Sequence, residues 1–108
     1  MKKFDENYVL LADMYCDHYY PDVLVDKIKG LIGKVIALLE GGEQDLVKIQ
    51  QALDEMTISI NNLQEEFEEN DSEIETVARD SIGSTVDYIL HWFQIDIDIE
   101  TAIRERDW

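Results

Sequence analysis

The chain of 108 residues has one cysteine, one proline, five glycines and nine lysines and arginines. Each shortage excludes something. The lone Cys16 forbids an internal disulfide and points to a reducing compartment. The five glycines build no phosphate-cradling loop: Gly41-Gly42 precedes a helix, but no strand leads into it and no lysine follows. No run approaches the ~18 apolar residues of a membrane span. Met1-Lys2-Lys3 is followed at once by Asp5, Glu6 and Asn7, so the apolar core of a signal peptide is missing. These features read as a cytoplasmic protein.

The shortage of positive charge has the widest consequences. Nine cations face 25 carboxylates, for a net charge of −16 and an isoelectric point near 4.1. Such a surface repels nucleic acid and anionic membranes, and favours basic protein surfaces or cations. Solubility alone is the plainer account of the same charge. A hydrophobic content of 45% is enough to fill a core, which argues against disorder.

What is present is helical periodicity. Leu46, Ile49, Leu53, Met56, Ile60, Leu63 and Phe67 recur at steps of three and four, placing them on one face of one long helix. The fold class is therefore all-α: an antiparallel bundle of three main helices with short flanking ones, in a single helical domain spanning 1–108. Tyr8, Leu11, Ala12 and Tyr15 suggest a short leader helix, ended by Tyr19-Tyr20-Pro21. The first long helix runs from about Asp22 to Glu40, with Leu24, Ile28, Leu31, Ile32, Val35, Leu38 and Leu39 inward, and with Val23, Val25 and Ile36 widening that face. Gly30 and Gly33 suit a close helix crossing, and Gly41-Gly42 ends the helix. The second runs from Glu43 to Glu69. Ser72 and Glu75 match a capping box for the third, which extends to about Phe93 with Ile74, Val77, Ala78, Ile82, Thr85, Val86, Ile89 and Phe93 inward. Residues 94–99 alternate like a strand but have no partner. A turn and a short helix capped by Asp96 or Asp98 are expected instead, burying Ile99, Ala102 and Ile103.

The candidate site is an acidic corner between the second and third long helices. Glu65, Glu66, Glu68, Glu69, Asp71, Glu73 and Glu75 crowd it, with Arg79 and Asp80 just beyond. Asp71, Glu73 and Glu75 suit a helix start, whereas each of Glu65 to Glu69 at a helix end is unfavourable by ~0.3–1 kcal/mol. Arg79, four residues after Glu75, is placed to pair with it. A corner that breaks a local rule invites a functional explanation. One is a surface for a basic protein partner, as in an inhibitor- or immunity-like domain. Another is Mg²⁺ or Mn²⁺ bound by Glu65, Glu66, Glu69 and Asp80, giving a nucleotide phosphohydrolase. That set resembles the paired acidic motifs of all-helical nucleoside triphosphate pyrophosphatases, but Val77 stands where their second motif has glutamate. The bland account is a solvated helix end. The non-catalytic protein-binding reading is preferred, with no cofactor and no assigned metal. A homodimer through the broad face of the first long helix is a third reading.

Other constellations are weaker. Asp13, Cys16, Asp17 and His18 are metal-ligand types, but their spacing matches no zinc signature and His91 stands alone. Cys16 is expected to be a small buried residue. Tyr15, Tyr19, Tyr20, Trp92 and Trp108 either seal the edge of the core or present a partner surface. The sequence leaves open whether Asp107 and Trp108 are docked or free.

Three segments carry a family resemblance. They are Asp13-Met14-Tyr15 through Tyr20-Pro21 and Leu24-Val25-Asp26-Lys27; Asn61-Asn62-Leu63-Gln64-Glu65-Glu66-Phe67-Glu68-Glu69-Asn70-Asp71-Ser72 through Arg79; and Arg106-Asp107-Trp108. On these the chain resembles a bacterial family catalogued as domain of unknown function 5713. Members carry a Thr-His pair where this chain has Thr57-Ile58, and Tyr-Gly-Phe near His91-Trp92-Phe93. The resemblance implies a domain of this length and brings no activity with it.

Overall fold

The computed structural model describes residues 2–108. Its helices are α1 (Ala12–Tyr15), α2 (Asp22–Glu40), α3 (Leu46–Glu69), α4 (Thr76–Trp92) and α5 (Ile99–Ala102). The three long ones form the antiparallel bundle that the periodicity implies, and no strand occurs among the described residues. No helix of the described residues is long and apolar enough to cross a membrane.

The short helices are wedges in this bundle. α2 packs on α3, α3 on α5, α5 on α4, α4 on α1 and α1 on α2, so the closest backbone approaches close into a ring. α4 thus reaches the α2–α3 hairpin largely through α1 and α5. The core inside holds Ile28, Ile32, Val35 and Leu39 from α2, Ile49, Leu53, Met56, Ile60 and Phe67 from α3, and Ala78, Ile82, Val86 and Ile89 from α4. Met14, Tyr20, Ala102 and Ile103 close its ends.

All three long helices stop in the same way. After each, one residue turns left-handed: Gly42 (φ 91°), Asp71 (φ 57°) and Gln94 (φ 57°). The following N–H then reaches back to the helix: Glu43 to Leu38 O at 3.4 Å, Ser72 to Phe67 O at 2.8 Å and Ile95 to Leu90 O at 2.8 Å. This Schellman turn satisfies carbonyls that would otherwise be orphaned. Only Gly42 was legible as a terminator. Asp tolerates left-handed geometry better than most residues, while Gln94 adopts it at a cost.

Several expectations need correction. α3 begins at Leu46, three residues later than expected, because Asp45 caps it, its side chain accepting from the Val47 N–H at 2.9 Å. Leu46 therefore lies in the first turn, 45% exposed and off the buried stripe, and Leu63 is half-buried. The Ser72–Glu75 capping box does not form. The Ser72 N–H serves the α3 turn, its hydroxyl is buried without a partner among the described residues, and α4 starts only at Thr76. Val23, at 63% exposed, and Val77, at 40%, lie outside the core. Gly30 and Gly33 mediate no close crossing, since a Cβ added at either meets nothing within 4 Å.

Both end segments are tied down. Phe4 and Tyr8 join Tyr88, Trp92 and Phe93 in an aromatic cluster, with the Tyr8 and Tyr88 rings stacked at 4.2 Å. The Tyr88 hydroxyl donates to Asp5 at 2.6 Å, the Trp92 indole N–H to the Lys3 carbonyl at 2.8 Å, and the Phe4 N–H to Glu40 at 2.8 Å. The expected turn falls at Phe93 and Gln94, and residues 95–98 run on irregularly to α5. Asp98, not Asp96, caps α5, its side chain accepting from the Thr101 N–H and hydroxyl.

Candidate functional site

The acidic corner is built on the Schellman turn at the end of α3. Phe67 is fully buried and anchors that turn. Glu65, Glu68 and Glu69 on the same two turns of helix are exposed, and so are Asp71 and Glu73 in the connection. The turn thus pins apolar and charged neighbours to opposite sides of one short segment.

Two of the seven carboxylates are engaged. Glu66 takes both oxygens to the Lys27 ammonium of α2 at 2.9 Å. Glu75 accepts from the Tyr20 hydroxyl. Burial, then the hydrogen bond and charge of Glu75, raise the Tyr20 phenol well above its ordinary range. Arg79 does not pair with Glu75 as the spacing suggested. It donates to the Thr76 hydroxyl at 3.1 Å, because Glu75 has turned to Tyr20. Among the described residues, Glu65, Glu68, Glu69, Asp71 and Glu73 make no salt bridge.

Tyr19 stands at the edge of this surface, 42% exposed. Desolvation, then the charges of Glu73 and Glu75, push its phenol up. Gln64, Glu68, Glu73 and Ile74 line a pocket of about 210 Å³ within the corner. Lys27, Tyr19, Tyr20 and Gln64 are thus parts of the site that sequence reasoning missed. The pair Tyr19-Tyr20 before Pro21 reads as a helix end, but nothing in the sequence links it to Glu73 and Glu75 across more than fifty positions.

Asp80 is separated in role from the α3 glutamates. It lines a groove of about 700 Å³ with Arg79, Gly83 and Ser84 of α4, facing Ile103 and Trp108. No group of three or more His, Cys, Asp or Glu side chains gathers as a metal ion would need among the described residues. That holds equally for Asp13, Cys16, Asp17 and His18. Cys16 is exposed, contrary to the expected buried residue. Asp17 accepts from the Tyr19 N–H at 2.9 Å, and exposed His91 contacts the Asp87 carbonyl of its own helix at 2.8 Å.

The tail is docked. Asn61 donates to the Glu105 carbonyl at 2.8 Å and accepts from the Asp107 N–H at 3.1 Å. Gln64 donates to the Asp107 carboxylate. Arg104 forks onto Asp54 at 2.7 and 3.2 Å, the bidentate geometry that makes such pairs specific. Trp108 is half-buried against the core.

A model described as a family of unknown function, DUF5713, matches residues 4–108, and the chain belongs to that family. No curated protein and no solved structure matches it.

Proposed function

We propose that this member of the DUF5713 family is a non-catalytic cytoplasmic domain that binds a basic protein surface through the corner between α3 and α4. One observation carries the reading. Five carboxylates, Glu65, Glu68, Glu69, Asp71 and Glu73, are exposed together without a cation of their own among the described residues. Glutamates at a helix C-terminus oppose the helix dipole, so the chain sacrifices some stability to keep them there. Tyr19 and Val77 supply exposed apolar area beside them, and an aromatic within a charged rim is typical of binding hot spots. An inhibitor- or immunity-like role suits a small rigid domain of this charge.

Under this reading the corner accelerates association with its partner, so binding weakens as salt screens it. The test uses partner captured from lysate by the intact chain and by a Glu65→Gln/Glu68→Gln/Glu69→Gln/Glu73→Gln variant, at low and high salt. Loss of the partner in the variant, and weaker capture by the intact chain at high salt, are expected. The same partner retained in every arm would overturn the reading. The rival, a Mg²⁺- or Mn²⁺-dependent phosphohydrolase, lacks an observation of comparable weight. Glu66 is held by Lys27, and Asp80 opens onto another groove. Nucleotide turnover lost on replacing Glu66 and Glu69 with glutamine would restore it.

A further inference from the structure

We propose that residues 105–108 are a releasable strap, and that their dock on α3 is a peptide-binding site occupied by this chain's own tail. The dock borders the acidic corner through Gln64, which lines that corner's pocket, but the inference rests on how the strap is held and not on the corner's charge.

The Asn61 side chain does what one residue of a parallel strand would do. Its amide donates to the carbonyl of Glu105 and accepts from the N–H of Asp107, the two main-chain groups flanking Arg106. A side-chain amide thereby reads extended backbone whatever the side chains are, which is how sheet edges capture peptides. Three residues on, Gln64 adds selectivity by donating to the Asp107 carboxylate. Arg106 turns away to Glu100 at 3.1 Å. The Trp108 ring packs against the core and lines the 700 Å³ groove beside Ile103 and Gly83. The dock's ligand is therefore an extended peptide with a carboxylate side chain followed by an aromatic.

The same details make the strap releasable. The bonds from Asn61 and Gln64 lie at solvent-exposed positions, where water replaces them at little cost. α5, which leads into the strap, is four residues long. The Trp108 indole N–H is buried without an acceptor among the described residues, so docking forfeits a hydrogen bond that release restores. A segment held this way opens on its own, ahead of global unfolding.

Two measurements test this on the full chain. The first is amide hydrogen exchange of the unaltered protein. Exchange of the Asp107 N–H, the amide that Asn61 holds, at least about a hundredfold faster than at Ile49 to Phe67 is expected for independent opening. Exchange of the strap at the rate of the core would overturn release. The second adds a synthetic peptide copying residues 104–108 to an Asp107→Ala/Trp108→Ala variant, whose own strap is disabled. Saturable shifts of the Asn61 and Gln64 side-chain amides are expected, with apparent affinity at least about tenfold weaker in the unaltered chain, where the tethered strap competes. No shift in the folded variant would overturn the site. A variant that fails to fold would overturn the strap, since the tail would then be part of the core.

Discussion

Gly30 and Gly33 offer the sharpest check on how the bundle is held. Both lie inside α2, where glycine costs about 0.8–1 kcal/mol relative to alanine, through backbone entropy. Their spacing suggested a close helix crossing that would repay this. The structure removes that explanation, since a Cβ at either position has nothing within 4 Å. Replacing both with alanine should therefore stabilise the domain by about 1.5–2 kcal/mol. At about 4–8 °C per kcal/mol for a domain of this size, Tm should rise by roughly 6–16 °C. Thermal melts followed by circular dichroism measure this directly, and urea titration with an unchanged m-value would show that the gain lies in stability alone. An unchanged or lowered Tm would refute the reasoning. So would a native dimer, seen by sedimentation, that the alanines dissociate. The glycines would then admit a second copy against the α2 face, which is the homodimer that the breadth of that face first suggested.

Three further outcomes follow from local geometry. Gln94→Gly should raise stability by about 1 kcal/mol, because Gln94 closes α4 in a left-handed conformation that glycine adopts freely; a denaturant midpoint that falls would count against it. Asp45→Ala should cost about 1 kcal/mol by removing the α3 cap, measured in the same titration. Stability should fall at both pH extremes. The Arg104 hydrogen bond holds the Asp54 carboxyl below its ordinary 3.8, so its contribution is present above that value and is lost as pH falls through the lower folded value. Burial, then the Asp26 hydrogen bond and charge, push the Tyr15 phenol from 10.0 to about 12. That contribution is complete below pH 10 and disappears as pH rises towards 12. Equal melting temperatures at pH 9 and pH 11 would contradict the Tyr15 assignment.

Much of the fold was legible because helical periodicity reports burial directly. The α3 stripe and the inward face of α4 came through because a run of many turns averages out single exceptions. The exceptions have physical causes. Leu46 and Val77 fit the apolar pattern but fall in first turns, at the ends of their helices, where the stripe has left the core. The Ser72–Glu75 motif was locally correct and lost to two stronger demands: the Ser72 N–H was needed to close α3, and Glu75 met the Tyr20 hydroxyl. Local capping rules assume that both residues are free, and residues at a tight interhelical turn seldom are.

The candidate site was legible only as a charge count. Sequence showed the carboxylates crowding one corner but not which ones the fold neutralises. That depends on Lys27, 39 positions from Glu66, and on Tyr20, 55 positions from Glu75. Once those two contacts are made, the surplus falls on Glu65, Glu68, Glu69, Asp71 and Glu73, a narrower surface than the sequence implied. Arg79, freed from its expected partner, faces the α4 groove instead. The tail escaped sequence reasoning for the same reason. Asn61 and Gln64 look like ordinary polar positions on the outside of a helix, and only the arrival of Glu105 and Asp107 gives their amides a purpose. Charge surplus and amide spacing on α3 therefore carry information that becomes readable only when distant segments are placed against that helix.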